Sequence, residues 1–387
     1  MSASRRVVVT GMGTVSAAGI GGADTVRALL ARRESALRPL RAFDTGGLPG
    51  HLAGEVDDDA LDALFDRDAA RRLSRICRFT VAACRLAVED ARVDTGPSLG
   101  LVVGTEYGDF RSSGEFATGY LKRGPSGLSP MLFPGTVMNA MGAAASIAIG
   151  AKGPTVTVNQ ATVAGEIALA RGAALVARGH ADAVLAGGVD ELCGPVYQRL
   201  AHELGVLSPM RKPDGRRNGV EGCRPYMPDH NGPVLGEGAT FVVLEDREIA
   251  RARGAAIVAE LRAARWGNIP VAPHTAPVAR PDPRSALRAS LADAGVAAAA
   301  LGACWGAGNG DPALDDWELA LLRGDLAARP DLLPPRSLTA LVGQHGGVGA
   351  LRGAAASLDL GAGPAVVHGL ARGGCRVALV LASPAGR

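Results

Sequence analysis

Aromatic residues make up only 4% of this 387-residue chain, while 47% of it is apolar. A core short of rings must be packed from small aliphatic side chains, and the abundant alanine and glycine suit helices lying close on sheets better than a sticky binding surface. Charge of one sign is missing too: a formal net charge of +3 gives no case for nucleic acid or a membrane surface as partner. No run approaches the roughly 20 apolar residues that a spanning helix requires. The six cysteines, Cys77, Cys84, Cys193, Cys223, Cys304 and Cys375, form no CxxC pair. A reducing, cytoplasmic setting is therefore expected, with no metal. No Gly-Lys-Ser/Thr phosphate loop occurs, and no cofactor is expected.

What is present is length enough for two fused halves with a large core. The opening MSASRRVVVTGMG carries two arginines, but its apolar stretch is short and broken by glycines, so it reads as a first strand and not a signal peptide. Gly11 and Gly13 invite a dinucleotide fingerprint whose third glycine would fall at Ser16; a hairpin turn after the first strand is the expectation. The β-branched run Gly153–Val158 predicts a strand, Ala164–Gly179 predicts a helix closed by glycine, and Asn159–Val163 is the tight turn between them. GEGATFVVLE reads as a glycine-marked hairpin ending a first half near Glu245, followed by a charged helix at Asp246–Gly254. Pro270–Pro283 and Ala328–Pro335 are proline-dense loops, and Val377–Ala382 is a closing strand. Glycine-rich turns at matching places are consistent with internal duplication.

The turn after Gly153 puts one side chain at a helix N-terminus. There the dipole and free backbone N–H groups lower a thiol's pKa and can cradle an oxyanion. The residue at that point is Thr162, whose hydroxyl ionises only beside a strong base.

Four blocks in order carry a family resemblance over essentially the whole chain: RRVVVTGMGTVSAAG (Arg5–Gly19), GPTVTVNQATVAG (Gly153–Gly165), ADAVLAGGVDEL (Ala181–Leu192) and CRPYMPDHNGPVLGEGATFVVLE (Cys223–Glu245). The chain resembles the β-ketoacyl-acyl carrier protein synthases. The resemblance implies an α/β, thiolase-like fold of two related halves, 1–245 and 246–387, stacked as helix, sheet, helix, sheet, helix. Active members of the family use a cysteine and two histidines to load an acyl chain, decarboxylate malonyl-carrier protein and join the two. The cysteine position falls at Thr162. The first histidine position, set by the frame Pro312, Asp315 and Glu318, is Ala307; the second, framed by Gly343 and Gly347, is Gln344; the usual lysine before it is Thr339. A one-residue slip would bring in His345, and a two-residue slip would put Gln160 at the cysteine position; the glycine spacing argues against both.

Loss of the chemistry with retention of the scaffold is similar to a chain length factor, the inactive partner in type II polyketide ketosynthase heterodimers. The resemblance implies an active ketosynthase as partner, an acyl carrier protein with a phosphopantetheine-bound chain, and a tunnel set by side chains facing the partner. Candidates for tunnel or interface are Tyr107, Phe110, Phe116, Met131, Phe133, Met138, Met141, Val156 and Val158. The turn lacks the signature of the aromatic-polyketide branch, which points to polyene or other reduced chains.

Duller readings stand beside these. Cys304 reads as a buried strand-end thiol, Cys223 as part of a structural loop and His230 as a surface turn. Arg211, Lys212, Arg216 and Arg217 read as a solvated loop or a dock for an acidic carrier protein. Two other functions remain open: an acyltransferase using Thr162 with His345 or His368 as base, and a homodimeric scaffold.

Overall fold

The computed structural model describes residues 5–211, 214–216, 219–272, 275 and 285–384. Its strands are β1 (Val7–Ser16), β2 (Gly19–Gly21), β3 (Arg38–Pro39), β4 (Leu52–Ala53), β5 (Leu99–Thr105), β6 (Thr155–Asn159), β7 (Ala183–Asp190), β8 (Gly238–Asp246), β9 (Ala259–Asn268), β10 (Ala303–Trp305), β11 (Ala365–Leu370) and β12 (Cys375–Ala382).

The first half orders its strands β6-β5-β7-β8-β1, with β8 antiparallel to both neighbours and the β5 pairings parallel. In the second half the order is β10-β11-β12-β9, β12 antiparallel to both neighbours, and Arg336 bridges in parallel to Trp305 on the outer side of β10. Counting each half's strands in chain order, with Arg336 in the place of a third strand, gives one and the same sequence of neighbours. The crossovers match as well: the helix Ala164–Ala177 links β6 to β7 as the helix Val348–Leu358 links the Arg336 bridge to β11. The two sets meet where Val7, Val8 and Val9 pair antiparallel with Leu261, Glu260 and Ala259.

Those two crossover helices form the middle layer. Both are rich in alanine and glycine and nearly all their residues are buried. Small residues are needed because the backbones nearly touch: a Cβ on Gly165 would lie 2.6 Å from the Ala350 nitrogen. One apolar cluster fills the space between the sheets, a second lies under the helix Arg75–Ala91, and a third under the helix Ala286–Ala294. The five-layer stack expected of a thiolase-like chain is therefore present. At its centre, Glu166 and Arg352 form an ion pair with both side chains wholly buried.

The helix expected at Asp246–Gly254 spans Arg247–Ala252, with Asp246 as its cap. GEGATFVVLE is not a hairpin: β8 is one long strand lying between β1 and β7. The hairpin after the first strand does form, Thr14 pairing with Gly21. Most of the proline-dense segment at 270–283 lies outside the described residues. Among the described residues, no helix is long and apolar enough to cross a membrane.

Candidate functional site

The parallel strands β5, β6 and β7 all deliver their carboxyl ends to one edge, the place where open α/β sheets assemble sites. β6 ends at Asn159, whose side-chain amide donates to the carbonyls of Thr105 and Glu106 at 3.1 and 2.9 Å. Gln160 is tied by its N–H to Thr105 O. Two residues on, the chain reverses through Thr162, which has φ +62°, and the Val163 N–H reaches back to Ala161 O at 2.6 Å. This is a three-residue γ-turn of the rarer, strained hand. A β-branched residue in left-handed conformation costs on the order of 1–2 kcal/mol, so the surrounding packing must impose it.

A carboxylate occupies the donor of this elbow. The Thr162 N–H points at Glu106 Oε2, 2.9 Å away. Burial and the nearby Asp190 carboxylate push the Glu106 carboxyl up to about 7, against the bonds it accepts from Thr162 and Tyr107. Asp190, pushed up to about 6 by burial, gathers the surrounding loops. It accepts from Thr105 Oγ1 at 2.7 Å, from the N–H groups of Glu106 and Tyr107 at 3.1 Å each, and from the Gly346 N–H at 2.7 Å. Sequence reasoning missed Glu106. Its signal was a charged residue directly after the wholly buried strand LGLVVGT.

The second half supplies the facing wall. Ala307 packs with Leu314, Trp317 and Leu370, and its N–H donates to Glu318 Oε1 at 3.0 Å. Glu318 also accepts from the Tyr226 hydroxyl at 2.6 Å and pairs with His368 Nδ1 at 2.7 Å, which holds its carboxyl below the ordinary value in spite of burial. Asp315 accepts from the N–H groups of Tyr226, Asn309 and Gly310 at 2.8 to 3.2 Å. Thr339, fully buried, donates its hydroxyl to Gly308 O at 2.7 Å. The mouth of this wall is crossed by an Arg372–Asp311 ion pair at 2.6 Å.

Gln344 is 7% exposed, and neither Oε1 nor Nε2 has a partner; its backbone is bonded to Val234 O and the Gly236 N–H. His345 accepts the Gly347 N–H on Nδ1 at 3.1 Å, and burial pushes it down to about 3, so it is neutral at ordinary pH. His368 is committed to Glu318. Among the described residues, neither ring hydrogen-bonds Thr162, so neither serves as its base here.

The fold does bring the four positions to one place. Gly346 joins the Gln344 loop to Asp190 and abuts Gly165 at the start of the elbow helix. Gly369 lies against Val163, its neighbour Leu370 packs on Ala307, and Thr339 is bonded to the residue after Ala307. Burial raises the thiols of Cys77, Cys84, Cys193, Cys223, Cys304 and Cys375, the reverse of what a reactive cysteine needs. Cys304 is buried as expected but sits in the middle of β10 and not at its end, and Cys223 donates to Asn309 O at 3.3 Å. His230 closes the expected surface turn, its N–H donating to Met227 O at 3.1 Å, but its ring is half-buried, with Nδ1 3.5 Å from Asp315. Among the described residues there is no cluster of His, Cys, Asp and Glu fit for a metal.

The tunnel or interface candidates separate by exposure. Phe110, Met131, Phe133, Met138 and Val156 are exposed, Tyr107, Phe116 and Val158 are half-buried, and Met141 lies in the core under the helix Arg75–Ala91. Phe116 and Phe133 pair with ring centroids 6.0 Å apart. Met138 lies against Gly108, its sulfur close enough that a Cβ there would lie 2.6 Å from it. In the basic loop Arg216 pairs with Asp214 at 3.0 Å and Arg211 is exposed, while Lys212 and Arg217 lie outside the described residues.

Comparison with known proteins fits this geometry. The profile of the β-ketoacyl synthase N-terminal domain matches residues 4–250. A 3-oxoacyl-[acyl-carrier-protein] synthase 2 from Synechocystis is 31% identical over 359 residues, covering 90% of this chain and 84% of the relative. The solved ishigamide ketosynthase/chain length factor superposes with a TM-score of 0.86 at 25% identity, over 99% of this chain and 100% of that one. A type II polyketide synthase acyl-carrier protein in complex with its ketosynthase supplies a further match, TM-score 0.82 over 98% of this chain and 100% of that chain; at 19% identity it speaks for the fold alone. The chain is a member of the β-ketoacyl synthase family.

Proposed function

We propose that the chain is a non-catalytic, chain-length-factor-like subunit built from two related halves, 1–245 and 246–387. It pairs with an active ketosynthase and shapes the acyl tunnel in which a polyketide or polyene chain grows on a phosphopantetheine-bearing acyl carrier protein. One observation carries the reading: the strained elbow persists at Thr162 although its N–H is taken by Glu106 and no thiolate or free imidazole faces it. An elbow kept without its chemistry fits a scaffold that serves a partner. The exposed apolar side chains Phe110, Met131, Phe133 and Met138 and the open edge strand β6 support the pairing, since apolar patches of this kind mark interaction sites. So does the name of the ishigamide neighbour, which couples ketosynthase and chain length factor.

The curated relatives are named as synthases, which favours a second reading, acyl transfer by Thr162 itself. Its base would be Glu106, the one carboxylate bonded to that residue, although the bond goes to the N–H. Co-expression with the ketosynthase encoded nearest to it, purification through a tag on this chain, and an assay of malonyl-dependent extension separate the readings. The proposal expects a one-to-one complex whose activity vanishes when the partner's cysteine is mutated. A lone homodimer that becomes acylated refutes it.

A further inference from the structure

Beside β6 lies a cleft of about 680 Å³, lined by Val156 and Val158 of the strand, Arg171 on the helix Ala164–Ala177, Arg178 at its end, and beyond them His180 and Trp266. No aspartate or glutamate lines it. Arg171 and Arg178 are seven residues apart, two helical turns, and so project from the same face. Arg171 lies over the Trp266 ring, 4.8 Å from its centroid.

Past Arg178 and Trp266 the groove runs on into a second cleft of about 520 Å³, where further arginines gather. These are internally balanced: Arg5 pairs with Asp182, Arg6 and Arg262 with Glu260, and Arg265 with Asp293. Arg171 and Arg178 are different. Both are exposed, and neither has a carboxylate partner among the described residues.

The position of this groove matters because β6 is an edge strand, bonded to β5 alone. Any chain that docks across that edge meets the groove, since Val156 and Val158 border both. A second copy of this chain, docked there about a two-fold axis, would bring an identical arginine-lined groove to the same seam. Like charges juxtaposed at an interface cost several kcal/mol, and such repulsion is a common device of pairing specificity.

We infer that the Arg171–Arg178 groove receives an acidic segment of the ketosynthase subunit, and that this charge match selects the heterodimer over self-association. The inference rests on the pairing proposed above and adds the chemistry by which the partner is chosen.

The test compares wild type with an Arg171→Glu/Arg178→Glu variant and a milder Arg171→Gln/Arg178→Gln variant, each checked by thermal melting. Affinity for the purified ketosynthase is measured at low and high salt, and self-association by analytical ultracentrifugation. The inference expects charge reversal to weaken ketosynthase binding by about tenfold or more at low salt and to flatten or invert its salt dependence, while self-association stays low because two acidic grooves repel as two basic ones do. The glutamine variant, which removes the like charge from the seam, should weaken ketosynthase binding less and raise self-association, and it carries the test if the glutamate variant does not fold. Unchanged affinity and salt dependence in a folded variant overturns the inference and leaves the proposed function standing. Weakened binding to a carrier protein with ketosynthase binding intact also overturns it, by naming a different occupant. Failure of the wild-type chain to bind the ketosynthase at all overturns the proposed function and the inference together.

Discussion

Glu106→Gln should stabilise this protein at alkaline pH and leave it unchanged at acid pH. The carboxyl is pushed from an ordinary 4.5 up to about 7, chiefly by burial and then by Asp190. A carboxyl whose pKa is raised on folding binds its proton more tightly in the native chain. Its favourable contribution is complete below about pH 4.5 and is lost as pH climbs through about 7. Each tenfold in proton affinity is worth about 1.4 kcal/mol, so the ionised carboxylate costs at most about 3 kcal/mol near pH 8. Glutamine keeps an oxygen acceptor for the Thr162 N–H and removes the charge beside Asp190. The expected gain is about 1–3 kcal/mol near pH 8, shrinking to nothing near pH 5. Urea unfolding followed by far-UV circular dichroism at both pH values reads it directly. A variant less stable than wild type near pH 8 would mean that the elbow amide and helix dipole hold the ionised form more strongly than burial opposes it. The account of the site would then have its sign wrong.

Other perturbations probe neighbouring features. Thr162→Gly should raise stability by about 1 kcal/mol, because glycine adopts φ +62° without strain; a loss in chemical denaturation would show that the methyl and hydroxyl packing outweighs the backbone cost. Arg352→Ala strands the Glu166 charge in the middle layer and should cost about 3–5 kcal/mol, with part of the loss recovered by adding Glu166→Gln, as a denaturation double-mutant cycle would reveal. Thr162→Cys alone should give no malonyl-dependent condensation in the purified chain, since Ala307 and Gln344 supply no imidazole and Glu106 still holds the elbow N–H; turnover would contradict this. Phe133→Ala in the complex with a ketosynthase should lengthen products or broaden their distribution by mass spectrometry, and unchanged lengths with normal assembly would count against a tunnel role.

Local pattern foretold the elements that local forces decide. The β-branched run after Gly153 and the alanine-rich helix beyond it lie within a residue or two of where periodicity puts them, whereas Gly11 and Gly13 lie inside β1 and the hairpin turns only after Ser16. β8 was misread because glycines near its start resemble a hairpin signal, whereas its partners, β1 and β7, are distant in the chain. Met138 and Met141 look alike in the sequence, yet one lies exposed against Gly108 in the turn before the helix Ala140–Ile149 and the other sits on that helix within the core. Glu106 shows in the sequence only as a charge after a buried strand, which does not reveal its role. Its hydrogen-bond partner is 56 positions away, and its altered acidity comes from burial, which no local window reports.

The repeated strand order has a consequence for how the chain can be divided. The central apolar cluster draws Val9, Ala168 and Val242 from the first half and Val348, Ala365 and Leu379 from the second, and each half contributes one of the two helices that fill the gap. Each half has an outer apolar cluster of its own, but neither closes the central one alone. A cut after Glu245 would leave each fragment with a bare helix where its counterpart had been, and the buried Glu166 and Arg352 on opposite pieces. However alike in topology, the halves share one central core and one buried ion pair across their boundary, so what repeats in them is shape and not self-sufficiency.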